Sequence, residues 1–145
     1  VDRRALAEHP IIAAAPQLLE PLSGMESRIL TATRAPAVVS HGDPGPYNLR
    51  IKDDRMLGLI DFNDCFVGPA AWDFAWITVY SGWTATEATL SGYGIVDEQF
   101  RSDIHMLAIP TALHGASRAA LLGQPDRMIR MARFLEDGFR APVHL

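Results

Sequence analysis

Between two apolar runs the chain reads HGDPGPYN, His41 to Asn48, with two prolines and two glycines in residues 42–47. Proline lacks a backbone donor and glycine weakens both regular ladders, so this stretch cannot be helix or central strand. Its flanks differ. Ala37-Val38-Val39-Ser40 is a short β-branched run that predicts a buried strand, and Leu49 and Ile51 alternate with polar residues up to Lys52. Met56 to Ile60 is apolar again, and Asp53-Asp54-Arg55 between the two suits a hairpin turn. A second polar loop begins at Asp61, closes at Gly68-Pro69 and leads into a helix expected from Pro69 to about Tyr80. A hairpin returns the chain, so its two polar loops, one with His41, Asp43 and Asn48, the other with Asp61 and Asp64, emerge on one side.

The remaining chain reads as helix. Asp2 to His9 suits a short helix capped by Asp2. Leu18, Leu22, Met25 and Ile29 fall at helical spacing, with Pro16 in the first turn, Gly24 weakening the middle and Ala35-Pro36 ending the element. Trp72, Phe74, Trp76 and Tyr80 make the helix after Pro69 rich in aromatics, which predicts deep burial. Thr84 to Glu87 has capping-box spacing for a short helix ending near Gly92 to Gly94. Asp97 caps a long helical region reaching Leu122, and Asp126 caps a last helix with Met128, Met131 and Leu135 on one side and Gly138 at its end. The fold class is mainly α with a small β-hairpin insert, α+β.

Composition narrows the function classes. At 145 residues the chain is expected to form one domain, and 48% hydrophobic residues supply a core. A formal charge of −4 argues against nucleic acid as the main partner. Cys65 is the only cysteine, which excludes an intrachain disulfide and suits a reducing cytoplasm. No apolar run reaches the ~18 residues of a membrane span. The chain begins at Val1 without an initiator methionine, which leaves open both a natural short product and a processed or excised fragment. Lys52 is the sole lysine.

The polar residues make a coherent chemical set. His41-Gly42-Asp43 followed by four residues and Asn48 has the H-x-D-x(4)-N spacing of kinase catalytic loops, and Asp61 follows Asn48 by 13 positions at the end of an expected strand. Phosphoryl transfer needs a carboxylate to orient the acceptor hydroxyl, plus oxygen ligands for magnesium on the nucleotide phosphates. Magnesium takes one or two carboxylates together with phosphate and water, which Asn48 and Asp61 fit, leaving Asp43 as the acid/base group. Asp and Asn also favour turns for backbone reasons; the spacing and the following helix argue for chemistry instead. His105 and His114, nine apart, are at neither i+3 nor i+4 and do not make a metal pair. Cys65 reads as a small packing residue. Trp83 and Tyr93, expected outside regular helix, are candidates to line an acceptor pocket. Asp97, Glu98, Asp103, Glu136 and Asp137 would suit a cationic acceptor, but read better as caps and solvated faces.

HGDPGPYN followed by LIDFNDCFVGPAAWDFAW resembles the aminoglycoside phosphotransferase and choline kinase group of small-molecule kinases. The resemblance covers Val38 to Trp76 and implies the C-terminal lobe of a protein-kinase-like fold. By position, Asp43 resembles the catalytic aspartate, and Asn48 and Asp61 the two magnesium ligands. His41 resembles the residue that braces the loop, Asp73 an aspartate anchoring it from the following helix, and Asp64 a loop-fixing group. Pro44 stands where the family has an apolar residue, and Asn63 replaces its usual glycine, a position where asparagine tolerates a left-handed backbone. Substrate-binding residues are not identified.

The family holds ATP with magnesium between two lobes, using a strand lysine. The residues before His41 contain no lysine, so the N-terminal nucleotide lobe is expected to be absent from this chain and to act in cis or in trans. The resemblance implies transfer of a γ-phosphate to a hydroxyl of a small molecule, aminoglycoside-like or related. Two other readings stand beside it. One is a non-catalytic remnant that binds a small molecule or a protein; the other is a metal-dependent phosphohydrolase, for which too few His and carboxylate ligands cluster.

Overall fold

The structure is a computed structural model and describes residues 3–53, 55–94 and 96–140. The chain divides into two compact units. Residues up to Thr31 and from Ile109 onward make one, and Ala32–Ala108 makes the other.

In the first unit, helices α1 (Arg3–Ala7), α2 (Pro10–Ala14), α3 (Leu19–Ser23) and α4 (Glu26–Ala32) are short, the last residue of α4, Ala32, counting with the second unit. The single helix expected from Pro16 to Ile29 is instead a 3-10 turn at Pro16–Leu18 followed by α3 and α4, parted at Gly24. Pro21 and Gly24 lie too close together for a long helix to gain from propagation. The cap expected from Asp2 lies outside the described residues. His9 caps α2, its Nδ1 accepting the backbone N–H of Ile11 at 3.2 Å. Ile11, Leu18 and Leu22 are buried, α2 packs on α7 (Pro125–Arg140), and α1 packs on α3. In α6 (Glu98–Leu121), Ala112, Gly115, Ala116 and Ala119 form a stripe of small residues, and the Met131 sulfur of α7 lies against Gly115. Helix α7 starts at Pro125, one residue before the expected cap Asp126, and runs through Gly138 to Arg140.

Among the described residues, the four strands lie in the second unit. Strands β1 (Ala37–Ser40) and β4 (Phe66–Pro69) pair antiparallel, with Val39 opposite Val67. Strands β2 (Leu49–Lys52) and β3 (Arg55–Leu59) form the expected hairpin, Lys52 opposite Arg55 and Asp53 left-handed at φ 51° in the turn. Two expectations change here. Pro69 ends a strand, so the helix begins at Ala71; and β1 is exposed at three of its four residues, with Val39 79% and Val67 73% exposed. The β-branched run predicted a strand correctly, but successive side chains point to opposite faces, so three exposed residues in a row leave both faces of the ribbon open over Ala37–Val39.

Helix α5 (Ala71–Tyr93) is two helical segments meeting at Gly82, whose φ of 80° and ψ of 171° interrupt the regular backbone. The break is bridged inside the core. Buried Thr78 Oγ1 donates to the Phe74 carbonyl at 2.8 Å and lies 2.8 Å from Thr86 Oγ1. Phe74 and Trp76 are buried as expected, whereas Trp72 and Tyr80 are half-buried. Phe74 also meets Tyr93 and Phe100 edge-on, with ring centres at 5.0 and 5.6 Å. Asp97 caps α6 as expected, accepting the N–H of Phe100 at 2.8 Å. Among the described residues no helix is long and apolar enough to cross a membrane.

Candidate active site

The loop from His41 to Asn48 is fixed at every turn. Helix α5 begins directly after β4, and Asp73 in its first turn points its carboxylate back at the loop. Oδ2 accepts the N–H of His41 at 2.8 Å and Oδ1 that of Gly42 at 2.9 Å. These charge-assisted bonds satisfy two backbone donors at the point where β1 ends and no ladder is left to use them. Gly42 sits at φ 86°, and a Cβ there would run into the backbone carbonyl of Asp64. Asp64 thus meets the loop through its backbone, while its side chain is exposed.

His41 is 4% exposed and bonds at both ring nitrogens. Nε2 lies 2.9 Å from the Ile60 carbonyl, which only accepts, so Nε2 carries the proton. Nδ1 is then free to accept the N–H of Asp43 at 3.3 Å. The Phe62 ring packs on the imidazole at 4.5 Å. One side chain therefore joins the loop before β2 to the end of β3.

Asn48 ties the other end. Its Nδ2 donates to the Asp43 carbonyl at 2.8 Å, and its backbone N–H to the Gly45 carbonyl at 3.0 Å. Its own carbonyl accepts the N–H of Ile60 at 2.9 Å. Asn48 and Asp61 consequently flank the open end of the hairpin. With its nitrogen committed to a carbonyl, the Asn48 amide keeps its oxygen for another partner. Asp61 is exposed and left-handed at φ 65°, and its Oδ1 accepts from Asn63 Nδ2 at 2.7 Å. The left-handed position is thus Asp61 and not Asn63, which lies in the 3-10 turn Phe62–Asp64 and supports Asp61 with its side chain. Among the described residues no three His, Cys, Asp or Glu cluster as an all-protein metal cage. A two-oxygen set such as Asn48 and Asp61 fits a cation that shares its remaining positions with phosphate and water.

A family model, the phosphotransferase enzyme family, matches residues 2–108. The chain belongs to that family. Among solved structures, the GDP and kanamycin complex of APH(2")-IIia superposes with a TM-score of 0.61 at 15% identity, over 91% of this chain and 50% of that one. The chain thus spans half the length of this relative, and the likeness shows the kinase-like α+β fold. No curated protein sequence matches the chain.

In this phosphotransferase-family chain the structure brings His41, Asp43, Asn48, Asp61, Asp64 and Asp73 to one loop cluster, and it places the other candidates elsewhere. Cys65 is exposed instead of packed. Trp83 and Tyr93 are helical, within α5. Trp83 lies on His105 at 3.8 Å, and Tyr93 stacks on Phe100 at 5.8 Å. Burial lowers the pKa of His105, partly offset by the charge of Glu87. Glu87, expected in a capping box, pairs with Arg101 through both oxygens at 3.1 Å, which holds its carboxyl below the usual range. Asp103 is buried and accepts from Gln99 at 2.8 Å, and Glu136 is bonded to Gln17. The Ile60 carbonyl and the Tyr80 ring, which borders Gly45, have no signal in the sequence motif.

Proposed function

We propose that this chain is the C-terminal catalytic and acceptor-binding lobe of an ATP-dependent small-molecule phosphotransferase. Family membership gives the reaction class, and one observation supports the rest: a network of hydrogen bonds through His41, Asn48 and the Ile60 backbone ties the backbone of Asp43 to Asn48 and to the residue before Asp61, at the open end of the β2–β3 hairpin. Asp43 orients an acceptor hydroxyl and takes its proton as the oxygen bonds to the γ-phosphorus and ADP leaves. The Asn48 amide oxygen and the Asp61 carboxylate would hold magnesium, which when bound offsets charge on the nucleotide phosphates. His41 and Asp73 keep the loop rigid through the transfer.

The nucleotide-binding lobe is provided outside this chain, in cis or in trans. The chain's 50% share of the solved neighbour supports this, as does the exposed apolar surface of the two ribbons, which includes Val39, Val67, Ile51, Met56 and Leu57. The acceptor is a small-molecule hydroxyl compound, aminoglycoside-like or related, which the kanamycin bound to the solved neighbour supports. The reading implies a cytoplasmic enzyme, with Cys65 reduced. A second reading, a lobe that binds without transferring phosphate, is favoured by the same half-length match.

The test joins the chain to a nucleotide-binding half and measures phosphate transfer from ATP, and from GTP because the neighbour carries GDP, to a panel of hydroxyl compounds. Asp43→Asn is expected to lower kcat by about 10²–10⁴-fold. Undiminished turnover in that variant would overturn the role of Asp43; binding of nucleotide and acceptor without any transfer would establish the second reading.

A further inference from the structure

The Asp43 loop has a second support that its motif does not announce. A Cβ built on Gly45 would lie 3.2 and 3.3 Å from Cε2 and Cδ2 of Tyr80, and 3.4 Å from Oδ1 of Asp43. Carbon atoms in ordinary contact sit about 3.5–4.0 Å apart, so the space beside the buried Gly45 is already shared by the Tyr80 ring and the Asp43 carboxylate. Pro44 and Pro46 on either side restrict φ, and the Gly45 carbonyl is held by the N–H of Asn48. The loop therefore has little freedom to move away from the ring.

The ring is itself supported. Trp76 is buried and stacks on Tyr80 with ring centres 5.4 Å apart and planes 18° from parallel. Asp73, Trp76 and Tyr80 are at i, i+3 and i+7 of the helical segment before Gly82, which places them on one face. That face touches the loop twice. Asp73 holds the backbone just before Asp43, and Tyr80 closes against Gly45 just after it.

We propose that Tyr80, backed by Trp76, is a positioning residue that sets the carboxylate of Asp43 by closing on the side-chain-free Gly45. The proposal rests on the phosphotransferase reading for its catalytic consequence and on packing for its structural one. In the complete protein, Tyr80→Leu and Gly45→Ala each lower kcat about 10- to 100-fold while the nucleotide KM is unchanged. Tyr80→Phe, which keeps the ring, retains more activity than Tyr80→Leu, and Gly45→Ala combined with Tyr80→Leu recovers part of the loss because the shorter side chain makes room for the methyl group.

A separate measurement on this chain needs no turnover. In ¹⁵N-resolved spectra the side-chain amide of Asn48 shifts in Gly45→Ala and in Tyr80→Leu, and the backbone amide of Gly45 shifts in Tyr80→Leu, whereas neither moves in Gly92→Ala, an exposed helical glycine with open space around it. Unmoved Gly45 and Asn48 signals overturn the proposal whatever the activity. Moved signals with unchanged kcat also overturn it, leaving a packing contact only. If the unmodified protein transfers no phosphate, the phosphotransferase reading fails, and the spectra alone decide whether Tyr80 sets the loop.

Discussion

The carboxylate of Asp73 accepts the N–H of Gly42 at 2.9 Å, and its second oxygen accepts that of His41 at 2.8 Å, so one side chain closes the junction between β1 and the Asp43 loop. Both donors lie in buried residues, where an unmatched N–H is costly. Asp73→Asn keeps one acceptor and turns an NH₂ group toward the other donor. The expected loss is about 1–3 kcal/mol of stability, read as a lower urea midpoint with an unchanged m-value. An unaltered midpoint would show that the two bonds contribute nothing net.

Gly42 and Gly92 make opposite predictions for the same substitution. At Gly42 a methyl group meets the Asp64 carbonyl, and φ is 86°, so Gly42→Ala should destabilise by at least about 1–3 kcal/mol. Gly92 is helical and faces open space, so Gly92→Ala should stabilise by about 0.5–1 kcal/mol. Thermal unfolding of both variants checks the pair. Equal shifts would mean that neither backbone geometry nor the Asp64 contact matters.

The candidate site was legible in the sequence because the proposed chemistry rests on short spacings: Asp43 to Asn48 within one loop, and Asp61 at the end of one hairpin. The supports were less legible, because they are backbone groups. The Ile60 carbonyl that fixes the His41 tautomer could belong to any residue, and Gly45 against Tyr80 is a relation across 35 positions. Burial misled at β1, since Ala-Val-Val-Ser predicts a strand equally well whether or not its faces are covered, and Val38 and Val39, on opposite faces, are both exposed. Helix boundaries failed where breakers crowd, as at Pro21 and Gly24. At Gly82 the break falls two residues before the Thr84 that marked a new helix in the sequence.

Val39 and Val67 lie directly opposite one another on an exposed ribbon face. Threonine keeps the β-branched shape and loses an apolar group already in water. The double variant Val39→Thr, Val67→Thr should therefore change the stability of this chain by no more than about 0.5 kcal/mol. It should, however, weaken association with a nucleotide-binding half added in trans, measured by calorimetry. Unchanged association would move that interface away from the β1–β4 ribbon.

His9 is expected to couple the stability of the first unit to pH. Its Nδ1 accepts the N–H of Ile11, and its Nε2 lies 2.8 Å from the hydroxyl of Ser117 on α6. Burial lowers its pKa, against the raising effect of a backbone bond at Leu113. Protonation at Nδ1 would place a donor against a donor and release the cap of α2. A lowered folded pKa means the unfolded chain binds the proton first. The stabilising contribution is therefore complete above the ordinary histidine value of about 6.5 and is lost as pH falls below it. Urea midpoints of the chain between neutral pH and about pH 5 should fall, His105 adding to the decline in the same direction. His9→Asn retains an N-cap acceptor without a titrating ring, so its midpoint should fall less over the same range. An equal fall in both proteins would remove His9 from the pH response.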